Sequence, residues 1–156
     1  YDPYAEQVPE EVVMTKSLEE LFRNSQIIVI HAGLTDATRG SVTKELLALL
    51  PDGGILINTA RGQIVDFKAL KAELMSGRLR AGLDMAGEDN MPPKNDPVRW
   101  LDNVIFTSHH IGSGGWGNSP QMLDRAAFNC LSNLERYRKG EELQYVISPF
   151  SYQIST

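Results

Sequence analysis

Four short apolar runs, at positions 26–30, 55–58, 81–85 and 103–107, alternate along the chain with stretches of helical periodicity. The first, Gln26-Ile27-Ile28-Val29-Ile30, is β-branched and nearly continuous, the pattern of a strand buried on both faces in a parallel sheet. Ser17-Leu18-Glu19-Glu20 is a capping box that opens a short helix to about Asn24. Positions 43–50 read as a helix with Leu46, Leu47 and Leu50 on one side, and Pro51-Asp52-Gly53-Gly54 turns it into the second run. Asp66 can cap a helix whose Phe67, Leu70 and Leu74 fall at i, i+3 and i+7, with Gly77 as its stop. A long helix spans about 120–139; its stripe of Leu123, Ala127, Cys130, Leu134 and Tyr137 reads as core, and Gly140 ends it. This alternation predicts an α/β fold, a doubly wound parallel sheet with helices on both faces.

The 156 residues suffice for one domain with a real core. A net charge of −5 argues against nucleic acid or an anionic membrane surface as partner, since neither attracts an acidic protein. The single cysteine, Cys130, makes no internal disulfide and belongs to no zinc-binding cluster, which fits a reducing cytoplasm. The apolar runs are too short to be bilayer-spanning helices.

In a parallel sheet every strand ends at one edge, and ligands bind there. The polar residues that follow the apolar runs are therefore the candidates for chemistry. His31 ends the first run, either as a strand terminus bonded to a loop or as a neighbour of a cofactor. Arg61 follows the second run on a small-residue turn, Asn58-Thr59-Ala60-Arg61-Gly62, where Gly62 permits close approach of a backbone or ligand. A guanidinium grips a carboxylate through two parallel bonds and polarises an adjacent carbonyl, although a surface salt bridge is the commoner fate of an arginine. Asp84 interrupts the third run and, as a carboxylate in an apolar setting, requires a buried donor. Glu88 and Asp89 lie in the loop beyond, as solvated residues unless one of them faces a histidine. His109 and His110 follow the fourth run, and histidine suits proton transfer near neutral pH. Adjacent residues on an extended segment point opposite ways, so capture of a metal by both is disfavoured and no metal is expected. Asp2 is either a turn residue before Pro3 or a carboxylate able to accept both hydroxyls of an adenosine ribose.

These segments resemble, in order and spacing, the D-isomer-specific 2-hydroxyacid dehydrogenases. The matching pieces are His31-Ala32-Gly33-Leu34-Thr35-Asp36-Ala37-Thr38, then Asn58-Thr59-Ala60-Arg61-Gly62 with Asp66 beyond, Leu83-Asp84-Met85, and Asn103-Val104-Ile105-Phe106-Thr107-Ser108-His109. The resemblance covers nearly the whole chain. It implies a Rossmann-like domain that binds NAD and serves an oxidoreductase interconverting a D-2-hydroxy acid and its 2-oxo acid by hydride transfer. It also implies roles: Arg61 on the substrate carboxylate and 2-oxo oxygen, His109 as the proton donor and acceptor, and Asp89 as the carboxylate paired with it. Asp84 would hold the nicotinamide carboxamide and Asp2 the adenosine ribose, favouring NAD over NADP. His31, Thr59, Ala60, Arg61, His109 and Gly112 would lie against the cofactor.

Several positions depart from the family pattern. The histidine-pairing glutamate falls on Asp89, one methylene shorter, with Glu88 as the adjacent alternative. Asn90 and Ser108 stand where the family has proline, and His110 where it has an apolar residue. The family's first βα unit, with its phosphate-binding glycines, has no counterpart before Tyr1-Asp2-Pro3-Tyr4. The resemblance thus implies an N-terminally truncated cofactor domain over residues 1–113. Residues 114–156 would form a helix and tail returning toward a separate substrate domain. Such a chain alone is expected to be inactive, to bind NAD weakly and to be stable only by association, in a homodimer by family habit. Glyoxylate, hydroxypyruvate and phosphoglycerate all fit as substrates. A non-catalytic dinucleotide-sensing or corepressor-type protein of the same fold is the alternative, and a purely structural α/β domain is a third.

Overall fold

A computed structural model describes residues 1–5, 7–88, 91–107, 109 and 120–149, with the backbone alone for 120–126. Helix α1 (Leu18–Asn24) precedes strand β1 (Ile27–Ile30), and α2 (Lys44–Leu49) precedes β2 (Ile55–Asn58). Helix α3 (Phe67–Met75) leads to β3 (Arg80–Leu83), a short 3-10 helix (Pro97–Trp100) leads to β4 (Val104–Phe106), and α4 (Pro120–Lys139) follows. The expected local signals set the ends. Ser17 Oγ accepts the Glu20 amide at 3.1 Å, while Glu20 Oε2 reaches one residue beyond the cap to the Lys16 amide at 2.8 Å. Thr43 and Asp66 cap α2 and α3, and Gly77 and Gly140 leave their helices with φ of +76° and +70°.

The four strands form one parallel sheet in the order β1-β2-β3-β4. The α/β parallel architecture is the one the alternation predicts. The burial of its faces is not. Ile28, Ile30, Leu56, Ala81, Leu83 and Val104 pack in one core with Phe22 of α1, Leu46 and Leu47 of α2, and Leu70 and Leu74 of α3. On the opposite face Ile27 is 54 % exposed, Val29 47 % and Ile105 68 %. β1 is therefore buried on one face rather than two. The reason is topological: right-handed crossovers that all step the same way across a sheet put every helix on the same side. Helices reach the second face only where the strand order reverses, and among the described residues it does not.

The core reading of α4 is likewise corrected. Phe128, Leu131, Leu134 and Tyr137 are exposed, and Cys130 is an exposed free thiol. The helix is tied instead to the segment that follows it, through Asn133 and Gln144 (2.8 and 2.9 Å) and Arg136 and the Glu142 carbonyl (2.8 Å). Among the described residues no helix is long and apolar enough to cross a membrane.

Two buried-side cations lock the helical layer. Arg78 donates to the Leu50 and Leu47 carbonyls at the C-terminal end of α2 and to Glu73 of α3, each at 2.7–2.8 Å. It thereby adds a donor to carbonyls at the helix end, where intrahelical donors run out. Lys71 meets Asp96 at 2.6 Å, and this contact, with the Val98 amide, holds the Asp96 carboxyl below the ordinary aspartate range.

Candidate functional site

Because all four strands run parallel, their C-terminal ends share one edge. The register aligns Ile30, Asn58 and Leu83 across β1, β2 and β3, and Leu83 with Phe106 of β4. The next residue on each strand is polar: His31, Thr59, Asp84 and Thr107. This row is what carries the sequence candidates to one place.

Asp84 is its centre. It lies just past β3 with 6 % of its surface exposed, and its backbone amide donates to the Asn58 carbonyl at 3.0 Å. The half-buried Thr107 hydroxyl donates to Asp84 Oδ1 at 2.5 Å, one of the donors that such a carboxylate requires. The His109 backbone amide donates to the Asp84 carbonyl at 2.7 Å, and His109 Nδ1 stands 3.7 Å from Asp84 Oδ2. His109 is half-exposed and adopts φ of +63°, a left-handed backbone that a non-glycine residue takes at a cost. With Nδ1 turned to Asp84, Nε2 is left on the far side of the ring.

Glu88 is directed elsewhere: it is largely exposed and lies 3.8 Å from the Arg39 guanidinium. Asp89, the expected partner of the histidine, lies outside the described residues, as do His110 and Gly112. Among the described residues, the carboxylate beside His109 is Asp84.

Arg61 is exposed at the same edge. Its Nη1 donates to the Ala60 carbonyl at 2.8 Å, and among the described residues it has no carboxylate within salt-bridge distance. The turn that carries it is built by Asn58, a residue the motif contains but whose work is visible only in three dimensions. Asn58 is 1 % exposed; its Oδ1 accepts the Ala60 amide at 3.0 Å and its Nδ2 donates to the Arg61 carbonyl at 2.9 Å. The sequence signal was a polar residue ending an apolar strand before a small-residue turn, a setting in which Asn bonds its own following backbone.

Gly62 makes the close approach expected of it. A Cβ there would stand 2.2 Å from the Gly87 carbonyl oxygen and 2.7 Å from its nitrogen. The Arg61 turn is therefore packed backbone to backbone on the loop beyond Asp84. Gly62→Ala is expected to destabilise the protein by about 1–3 kcal/mol through overpacking. Denaturant unfolding of the full-length protein checks this; an unchanged midpoint would show that the two loops separate freely.

His31 is exposed at the end of β1. In the loop beyond it, the Thr38 hydroxyl donates to the Gly33 carbonyl at 2.7 Å and accepts the Thr35 amide at 2.8 Å. The two threonines of that motif thus shape a loop. Asp2 accepts the Tyr4 amide at 2.9 Å in a turn. Its neighbour Tyr1 lines a hollow of about 320 Å³ with Ser17 and Thr43, at the N-terminal ends of α1 and α2.

The residues present fit the nicotinamide end of a dinucleotide. Thr59 and Ala60 are small and half-buried at the edge, and a buried carboxylate, Asp84, lies level with them. A carboxylate so placed can accept a carboxamide N–H.

Residues 1–111 match the model of the D-isomer specific 2-hydroxyacid dehydrogenase NAD binding domain, and the chain belongs to that family. Its sheet is the Rossmann-like sheet of that family's NAD binding domain. The chain is 34 % identical over 156 residues to D-3-phosphoglycerate dehydrogenase of Methanocaldococcus jannaschii, covering 95 % of this chain and 28 % of that protein. It is 39 % identical over 127 residues to glyoxylate reductase of Pyrococcus horikoshii, covering 81 % and 36 %. A D-isomer specific 2-hydroxyacid dehydrogenase from Xanthobacter autotrophicus Py2, solved with NADPH and MES, superposes with a TM-score of 0.68 at 35 % identity, covering 85 % of this chain and 52 % of that one. The chain thus spans about a third of the length of the curated relatives it matches.

Proposed function

We propose that this chain is the NAD-binding part of a dehydrogenase that reduces a small 2-oxo acid to a D-2-hydroxy acid and runs the reverse reaction. The observation that supports it most is the arrangement around Asp84. One buried carboxylate holds Thr107 and faces His109, beside a braced turn that presents Arg61.

In this reading Arg61 binds the substrate carboxylate with its two-pronged guanidinium and polarises the 2-oxo oxygen. His109, protonated, donates from Nε2 to that oxygen as it becomes a hydroxyl, and removes the same proton in oxidation. Asp84 would hold the nicotinamide carboxamide, and it faces the imidazole at 3.7 Å. A nicotinamide held there would supply or accept the hydride. By the family resemblance His31, Thr59, Ala60 and Gly112 would hold the cofactor, and Asp89 remains the family's candidate partner for the histidine. Asp2 favours NAD, because its carboxylate would accept ribose hydroxyls and repel a 2′-phosphate. A reducing cytoplasm suits the single exposed thiol. By family resemblance the enzyme is a homodimer. Residues 1–113 serve the cofactor, and residues 114–156 reach toward a substrate domain that completes the site.

The test is NADH oxidation by the full-length protein with glyoxylate, hydroxypyruvate and pyruvate in parallel, beside residues 1–156 alone. Turnover on at least one acid is expected from the former and none from the latter. NADH binding without turnover on any acid would favour the dinucleotide-sensing reading. Turnover by residues 1–156 would refute the need for a second domain.

A further inference from the structure

We infer that Asn58 is the positioning residue of the site: it acts through Arg61 and not on substrate, an inference that rests on the dehydrogenase reading above. Asn58 and Asp84 are the two buried polar side chains among the described residues, and they are neighbours at the ends of β2 and β3, joined by the Asp84 amide and the Asn58 carbonyl at 3.0 Å. Asp84 serves the histidine side of the site. Asn58 serves the arginine side.

Its geometry is that of a brace. The chain leaves the sheet after Asn58, so the backbone groups of the next residues lose the neighbouring strand that would pair them. The carboxamide replaces that strand. One end takes the Ala60 amide and the other gives to the Arg61 carbonyl, so both sides of the turn are tied to one rigid, fully buried plane. Gly62 then seats the turn on Gly87. The guanidinium itself is exposed and held within the chain by its bond to the Ala60 carbonyl, so its direction is set by the backbone beneath it. Asparagine is the side chain of this length that offers an acceptor and a donor at once. Aspartate keeps the acceptor for Ala60 but sets an oxygen against the Arg61 carbonyl.

A double-mutant cycle on the full-length protein tests this, with Asn58→Ala, Asn58→Asp and Arg61→Ala in all combinations. Steady-state kinetics with a 2-oxo acid is run beside amide hydrogen exchange at Ala60–Gly62. Either Asn58 substitution is expected to lower kcat/KM by about 10-fold or more in the parent and to add almost nothing once Arg61 is gone, as for two residues of one network. Exchange at Ala60 is expected to accelerate in Asn58→Ala, which removes the acceptor of that amide. Asn58→Asp stays informative where Asn58→Ala fails to fold. An Asn58 effect of equal size with and without Arg61, or unchanged exchange at Ala60 in Asn58→Ala, overturns the inference while leaving the dehydrogenase reading intact. If the parent turns over no 2-oxo acid, that reading fails, and the exchange measurement alone decides whether Asn58 braces the turn.

Discussion

Replacing Arg61 by alanine is expected to lower kcat/KM for the 2-oxo acid by about 30- to 5,000-fold, the equivalent of the 2–5 kcal/mol lost when one partner of a desolvated charge pair is removed. The guanidinium is asked for two things. It must bind the carboxylate, which weighs equally on ground and transition state and appears in KM. It must also stabilise charge developing on the 2-oxo oxygen, which appears in kcat. Both constants should therefore worsen. Arg61→Lys is expected to recover only part of the loss, because an ammonium keeps the charge but not the planar fork. NADH affinity measured by fluorescence titration should change far less than either constant. Kinetics on a 2-oxo acid that survive Arg61→Ala intact would remove Arg61 from the site and return it to the surface.

The second large effect belongs to His109. His109→Gln should reduce kcat by about 10²- to 10⁴-fold, the usual contribution of a positioned acid–base group. A more discriminating variant is His109→Gly. The backbone at 109 is left-handed at φ +63°, a conformation in which glycine is unstrained. Removing the ring should therefore abolish turnover while leaving thermal stability equal or higher. A purely structural histidine predicts the opposite, loss of stability with little loss of rate, so the two measurements on one variant separate the assignments. The strained backbone is itself an argument for function, since it persists where the surroundings over-determine it, here through the Asp84 carbonyl at 2.7 Å.

The frame of this protein, and the edge that carries its candidate residues, are legible residue by residue. The apolar runs and caps at Ser17, Thr43 and Asp66 locate the strands and helices, since hydrogen bonding within a few residues of the chain decides them. The order of His31, Arg61, Asp84 and His109 after successive runs places them on one edge, because parallel strands leave no other choice. What lay beyond the sequence was which faces are covered and which side chains pair. Ile27 and Val29 read as buried, and α4 as core, because composition records that a residue is apolar and not whether a second layer arrives to cover it. A sheet whose strands step in one direction covers one face, and that follows from topology. The carboxylate facing His109 among the described residues is Asp84, 25 positions earlier, rather than the nearer Glu88, which turns to Arg39. Asn58 brings Ala60 and Arg61 under one buried amide, and Gly62 meets Gly87 at a distance only glycine allows. Periodicity and spacing act along the chain and fix its elements. The burial of a face and the pairing of side chains depend on distances across it, which only the packed sheet sets.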